Sequence, residues 1–147
     1  MPSTFVNLTY HIVFSTKNRE PMIASTWRPR LYEFFGGCVR TSGGTCLEIG
    51  GTADHLHLLA GLKATHRMSD FLRDVKRATS SWARDTVLPT FAWQDGYGAF
   101  SVSQGVCPKV VQYIRRQEEH HRTQTFQEEY RELLRRAGIT FDERYLW

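Results

Sequence analysis

The sequence lacks paired cysteines and long apolar runs. Its 147 residues include three cysteines and no Cys-x-x-Cys pair, so it shows neither a disulfide framework nor a structural zinc site. No stretch approaches the roughly 20 consecutive apolar residues that a membrane helix needs. The first residues also lack the basic, apolar and small-residue regions of a secretory signal peptide. We therefore expect a cytoplasmic protein with reduced cysteines and no membrane partner.

The composition is that of a folded globular protein. Apolar residues make up 41% of the chain, aromatic residues 13% and charged residues 23%. This balance differs from that of disordered, collagen-like or coiled-coil chains. The sequence contains no internal repeat, low-complexity tract or linker, so we predict one domain over residues 1–147.

The positive charge is concentrated in one segment. The chain carries a net charge of +4, and residues 63–84 hold six basic and two acidic residues. Such an excess permits an anionic partner without requiring one. On charge alone, a solvated helix surface is the favoured interpretation.

The apolar pattern predicts alternating strands and helices. The strands are expected at 5–15, 46–51, 55–62 and 96–103. The helices are expected at 25–40, from an N-cap at Ser69 to before Pro89, from Pro108 onward, and at 124–137. This order is that of a ferredoxin-like split βαβ sandwich of the α+β class, which has an antiparallel sheet with helices on one face. The chain adds extra C-terminal helices to it.

Two histidines lie on the predicted strand 55–62. Side chains alternate across a strand, so His55 and His57 share one face, and Leu56 and Leu58 share the other. Two neutral imidazoles at this spacing can bind one divalent metal ion. The alternative is that both rings decorate a solvent-facing strand and bind nothing. The spacing alone leaves both possibilities open.

Tyr113 and Gln117 are four residues apart in the helix that begins at Pro108. On a helix this spacing places the phenol and the amide on the same face, about one turn apart. The alternative is a packing tyrosine and an ordinary surface glutamine. Again, both interpretations fit the residues.

Four segments in this order resemble the single-tyrosine HUH transposases of the insertion sequence 200/605 type. The similarity covers nearly the whole chain, through the segments 10–19, 54–59, 93–102 and 113–121. It implies a ferredoxin-like catalytic domain, a homodimer and a divalent ion, Mg²⁺ or Mn²⁺, held by His55, His57 and Gln117. It also implies that Tyr113 is the catalytic nucleophile.

The substrate that the resemblance implies is single-stranded DNA with a hairpin. Cleavage would leave a 5′-phosphotyrosine and a free 3′-hydroxyl, and this linkage retains the energy needed to rejoin strands. We expect basic side chains to contact the phosphates. They are Lys17, Arg19, Lys76, Arg77, Arg84, Arg115 and Arg116.

Three other functions are compatible with parts of the sequence. A ferredoxin-like order is also that of RNA-recognition modules, and residues 96–100 partly resemble their aromatic strand motif. A domesticated HUH endonuclease acting on repeated hairpins would use the same residues as a transposase. A metal-dependent hydrolase ranks last, because no carboxylate base accompanies the two histidines. His121 lies on the face of Tyr113 and Gln117, but for it and for His120 we favour a surface position at a helix end.

Overall fold

The computed structural model describes residues 3–147 and contains a four-stranded antiparallel sheet. The strands are β1 (Leu8–Ser15), β2 (Thr45–Gly51), β3 (His55–Leu62) and β4 (Gly98–Ser101). Their spatial order is β2-β3-β1-β4, and every neighbouring pair is antiparallel. This is the strand order of the split βαβ fold, so the predicted fold class is confirmed.

Helices cover both faces of the sheet. They are α1 (Arg28–Thr41), α2 (Met68–Thr86), α3 (Cys107–Arg115), α4 (Gln117–His120) and α5 (Phe126–Arg136). The apolar side chains of α1 and α2 pack against one face and form the main core with Ile12, Phe14, Leu56 and Leu58. The C-terminal helices pack against the opposite face, where Val13 contacts α5 residues and Leu59 contacts α3 residues.

The side chains of strand β3 alternate between the two faces of the sheet. Leu56 and Leu58 are fully buried in the α1–α2 core, and His55 and His57 are fully buried on the other side. Strands β2 and β3 form a hairpin, with Gly50 paired to His57. Because both faces are covered, even the polar side chains of this strand are removed from solvent.

Two glycines allow the C-terminal helices to lie close to the sheet. A Cβ atom at Gly50 would come within 2.5 Å of the Ile114 carbonyl oxygen of α3. One at Gly98 would lie 2.8 Å from the Tyr130 ring of α5. Because glycine has no side chain, Gly50 of β2 and Gly98 of β4 allow α3 and α5 to lie close to the histidine face of the sheet.

Several predicted boundaries differ from those observed. The strand predicted over 5–15 begins at Leu8, and Phe5 is 91% exposed. Ser69 is not the N-cap of α2, which is Arg67. The helix that begins near Pro108 ends at Arg115. Within residues 3–147, no helix is long and apolar enough to cross a membrane.

Candidate active site

A buried polar cluster lies between the sheet and the C-terminal helices. His55 and His57 are fully buried within it, so the alternative of a solvent-facing strand is wrong. Buried imidazoles need hydrogen-bond partners, and both rings have them. The partners come from β1, from the turn between β2 and β3, and from α4 and α5.

Gln117 and Tyr113 both point into the cluster, although they do not share one continuous helix. The chain leaves helical geometry at Arg116, with φ −98° and ψ 20°, and α4 begins at Gln117. Gln117 is only 1% exposed, and its Oε1 lies 2.8 Å from His55 Nε2. Tyr113 is partly buried, and its ring lies 5.7 Å from that of His57 between centroids. The predicted proximity of the phenol, the amide and the histidines is therefore observed.

Glu129 of α5 is the hub of the cluster. Its Oε1 lies 3.0 Å from His57 Nε2 and 3.2 Å from His121 Nε2. Its Oε2 accepts hydrogen bonds from the Gln117 amide, at 2.9 Å, and from the Tyr113 hydroxyl. The side chain is 2% exposed. One carboxylate thus connects the residues that the sequence placed on separate elements.

Outer hydrogen bonds orient the two strand histidines. The carboxylate of Asp54 lies 2.8 Å from His55 Nδ1. The ring therefore donates a hydrogen bond from Nδ1 to this carboxylate and turns Nε2 toward the cluster. His11 of β1 lies 2.8 Å from His57 Nδ1, with its ring stacked on that of His57. Because His57 Nε2 donates to Glu129, its Nδ1 accepts from His11 in the neutral ring. Both rings are therefore held in fixed orientations.

The charge distribution of the cluster depends on Glu129. Burial by itself raises the pKa of Glu129, but the hydrogen bonds from His121 and His57 outweigh it and keep the pKa well below its usual value. For His121, burial lowers the pKa, but the Glu129 carboxylate raises it more. Burial, reinforced by His57, lowers the pKa of His11 to about 3. The Glu129 carboxylate and His121 thus stabilise each other's charged forms.

Tyr113 is protonated in this environment. Burial raises the pKa of its hydroxyl, and the negative charge of Glu129 raises it further. A phenol held this way is a poor nucleophile on its own. Chemistry at Tyr113 therefore requires added positive charge near its oxygen or near the phosphate that it attacks.

The donor set fits a divalent cation. Ligand atoms of His55, His121 and Glu129 lie within 4.8 Å of one another. His55 Nε2 also faces Gln117 Oε1 at 2.8 Å, and a cation or a proton between these two atoms would satisfy both. Imidazole nitrogen mixed with carboxylate and amide oxygen suits Mn²⁺, and the oxygen donors suit Mg²⁺.

A solvent-accessible cavity of about 500 Å³ reaches Tyr113 and Glu129 from outside. Lys109 and Arg136 line it, and neither was singled out from the sequence. Arg136 also pairs with Glu132 at 2.9 Å. An anionic strand entering this cavity would meet positive charge before it reached the phenol.

Three of the predicted DNA contacts line one groove, between α2 and residues 92–97. They are Lys76, Arg77 and Arg84. Lys76 has a structural role as well, because its ammonium donates to the carbonyl oxygens of Gln94, at 2.7 Å, and Gly96, at 2.9 Å. Burial lowers the pKa of Lys76 to about 8. Its phosphate contact stays a prediction, as do those of the two arginines.

The other predicted DNA contacts lie at two further places. Lys17 and Arg19 belong to a turn beside the 92–97 segment, and the Arg19 guanidinium lies 4.7 Å from the centre of the Trp147 ring. Arg115 and Arg116 end α3, where Arg115 pairs with Glu48 at 2.7 Å. All four remain predictions as phosphate ligands.

Sequence reasoning missed Glu129 and His121. The expectation that His121 is a surface residue is wrong, because its side chain is 11% exposed and contacts Glu129 and Gln117. The statement that no carboxylate accompanies the histidines is also wrong. A signal was available, since Glu129 lies three residues after Phe126 and four before Leu133, on the apolar stripe of α5. A carboxylate on a buried stripe must be paired with a donor or a cation.

Known proteins resemble this chain in sequence and in fold. The family model described as "Transposase IS200 like" matches residues 4–117. None of the curated proteins matches the chain. A crystal structure of a candidate transposase from Deinococcus radiodurans R1 is similar, with a TM-score of 0.65, 21% identity, and coverage of 80% of this chain and 95% of that one. A REP-associated tyrosine transposase bound to a REP hairpin has a TM-score of 0.61 and 15% identity, over 82% of this chain and 73% of that one. At these identities the two structures establish the fold alone. The family model matches most of this chain, which establishes that the chain belongs to the IS200-like transposases.

Proposed function

We propose that this transposase cleaves and rejoins single-stranded DNA through a covalent 5′-phosphotyrosine at Tyr113. The observation that carries the proposal is the position of the Tyr113 hydroxyl. It shares the Glu129 carboxylate with His57 and Gln117, in a cluster that a cavity connects to solvent. Nucleophile, candidate metal ligands and substrate entrance therefore meet at one point.

The ligands in this proposal are those that the resemblance implies, His55, His57 and Gln117, together with the donors that the fold adds. A Mg²⁺ or Mn²⁺ ion held there would act as a Lewis acid on the scissile phosphate. His55 Nε2 and Gln117 Oε1 already converge. His57 reaches the cluster through its hydrogen bond to Glu129.

The protein side chains carry the bond changes. The Tyr113 oxygen attacks phosphorus, its proton passes through Glu129 Oε2 to a water molecule, and the bond from phosphorus to the 3′-oxygen breaks. The 3′-oxygen leaves as a hydroxyl after taking a proton from water. Rejoining reverses these changes, with a 3′-hydroxyl attacking the phosphotyrosine, so no external energy source is needed.

The substrate is proposed to be single-stranded DNA that carries a hairpin. Support comes from the basic groove along α2, from the basic residues of the cavity, and from the hairpin bound by a structurally similar transposase. Phosphate contacts supply affinity without sequence information, so the hairpin shape is the feature recognised.

In the described part of the chain, one copy supplies every member of the cluster, and the homodimer stays a prediction that light scattering tests.

A host function on repeated hairpins is a second candidate. The similarity to a REP-associated tyrosine transposase favours it. It differs in biological role and not in chemistry, so the same residues would act. This host function would be identified if the protein cleaved repeated genomic hairpins but did not cleave the ends of its own mobile element.

The RNA-recognition alternative conflicts with the fold. Such modules stack bases on an exposed sheet face. Here α1 and α2 cover one face and the C-terminal helices cover the other. The hydrolase alternative gains a carboxylate in Glu129, but it assigns no task to Tyr113.

The test is covalent adduct formation with labelled single-stranded hairpin DNA from the flanks of its own gene. Wild-type protein with Mg²⁺ or Mn²⁺ should give a protease-sensitive adduct on a denaturing gel, and EDTA should abolish it. Tyr113→Phe should form no adduct, whereas Tyr145→Phe, an exposed tyrosine in the tail, should match the wild type. Cleavage by Tyr113→Phe would assign the reaction to a water nucleophile instead.

A further inference from the structure

The two oxygens of Glu129 face different chemical groups. Oε1 faces imidazoles, at 3.0 Å from His57, 3.2 Å from His121 and 3.6 Å from His55. Oε2 faces the Tyr113 hydroxyl and the Gln117 amide. One side of the carboxylate thus belongs to the candidate metal ligands, and the other belongs to the nucleophile.

Glu129 is a buried carboxyl group that is 2% exposed. Within residues 3–147, its ion-pair partners are all histidines. A buried carboxylate is costly unless it is paired or bound to a metal ion. Three imidazole nitrogens and a carboxylate oxygen that converge away from solvent are a typical ligand set for a divalent ion.

The fold holds Glu129 in place from its own helix. Thr125 and Glu128 form a capping box that fixes the start of α5. Phe126, three residues before Glu129, stacks on the His55 ring, with 4.3 Å between centroids and 19° between planes. Helix α5 therefore presents Glu129 to the sheet with little freedom.

Resting on the proposed function, we propose that Glu129 is both a ligand of the divalent ion and the residue that positions the Tyr113 hydroxyl. Oε1 joins His55 and His121 as a metal ligand, and Oε2 holds the phenol. A single rigid side chain then sets the nucleophile relative to the ion. His121, at the end of α4, is a further ligand that the C-terminal helices add, beside Glu129 and the Gln117 of the proposed function.

Metal binding can be measured without DNA. We would titrate the purified, EDTA-treated protein with Mn²⁺ by calorimetry and follow free Mn²⁺ by electron paramagnetic resonance. Glu129→Gln keeps the size of the side chain and removes its charge, so Mn²⁺ affinity should fall at least about tenfold. Glu132→Gln, one turn along α5, should bind Mn²⁺ as the wild type does.

His121 has a matched control in the next residue. His121→Ala should weaken Mn²⁺ binding at least about tenfold, since it removes a ligand. His120→Ala should leave the affinity within about twofold, because His120 is not part of the cluster whose ligand atoms converge. Equal losses in the two variants would contradict a specific role for His121.

The variant Glu129→Asp tests the positioning role of Glu129 separately from metal binding. This variant keeps the charge but withdraws the carboxylate by one methylene. It should retain Mn²⁺ binding to within about tenfold while the adduct rate falls at least about 100-fold, because misplacement of a reacting group by about 1 Å has this cost. Tyr113→Phe should bind Mn²⁺ as the wild type does. If Glu129→Gln does not fold by circular dichroism, His121→Ala still tests the metal site and Glu129→Asp still tests the positioning of the phenol.

The outcomes distinguish this inference from the proposed function. Wild-type Mn²⁺ affinity in folded Glu129→Gln, with adduct formation intact, would overturn the role of Glu129 and leave the phosphotyrosine chemistry standing. Absence of adduct in the wild type under all metal conditions would refute the proposed function, and the Mn²⁺ titration would still decide whether Glu129 is a ligand.

Discussion

The two faces of the sheet are equally buried but built from different chemistry. On the α1–α2 face, strands β1 and β3 contribute Ile12, Phe14, Leu56 and Leu58 to an apolar core. On the opposite face, the same strands contribute His11, Val13, His55, His57 and Leu59, and the histidines meet a carboxylate from α5. Adjacent residues of one strand therefore belong to opposite environments.

The difference shows how one sheet can separate stability from chemistry. The apolar face gains free energy from dispersion and from surface removed from water. The polar face is stable only if every buried donor and acceptor has a hydrogen-bond partner, which requires side chains from several elements. Changes on the first face should act on stability, and changes on the second should act on metal binding and reactivity.

The largest effect on stability is expected for Phe14→Ala. Phe14 is fully buried and packs against Trp93, with 4.9 Å between ring centroids. Its removal should lower the free energy of unfolding by about 3–5 kcal/mol, measured by urea denaturation. Mn²⁺ affinity below the melting temperature should stay within about twofold, because the ring points away from the cluster. Weaker Mn²⁺ binding in the folded variant would show that the two faces are coupled.

Acid should destabilise the polar face of the apo protein. His11 has a folded pKa lowered to about 3, below its usual value of 6.5, so the unfolded chain takes up a proton first as the pH falls. Its contribution is present above pH 6.5 and is lost as the pH falls from there toward 3. Between pH 7 and pH 5 in EDTA, the free energy of unfolding should fall by about 2 kcal/mol from this residue.

His11→Gln serves as the comparison for the acid effect. It has no titrating ring, so its loss of stability between pH 7 and pH 5 should be smaller than that of the wild type by about 2 kcal/mol. Denaturant titrations at the two pH values provide the measurement. Parallel loss in both proteins would assign the acid sensitivity to other groups.

The smallest effect is expected for Thr125→Ala at the start of α5. The Glu128 amide donates to Thr125 Oγ1 at 3.2 Å, and loss of this cap should cost about 1 kcal/mol of unfolding free energy. Thr123→Ala, at an exposed threonine outside the capping box, should change stability by less than about 0.5 kcal/mol. Equal values for the two variants would mean that the box does not hold α5.

Local patterns were sufficient for much of the fold. The alternation in 55–62 predicted a strand with two histidines on one face, observed as β3. The apolar stripe of 124–137 predicted a helix, observed as α5. Strand and helix ends shifted by up to three residues, because caps and fraying are decided by nearby contacts that periodicity does not contain.

The site was only partly predictable for a related reason. His55, His57, Tyr113 and Gln117 carry spacings that can be read along the chain. Glu129 stands among several acidic residues and has no such spacing to the histidines, which lie more than 70 residues earlier. The i+4 spacing placed His121 on the face of Tyr113 and Gln117, but its contact with Glu129 depends on how α4 and α5 pack together.

The sequence by itself determined which side chains share a face of a strand or helix, because backbone periods of 2 and 3.6 residues act locally. It also contains the four segments that resemble the transposase family. Only the tertiary structure decided that α5 lies across the histidine face and that Glu129 joins the histidines to Tyr113. Such contacts depend on long-range packing, here on the close approach of helices to Gly50 and Gly98, which no local pattern specifies.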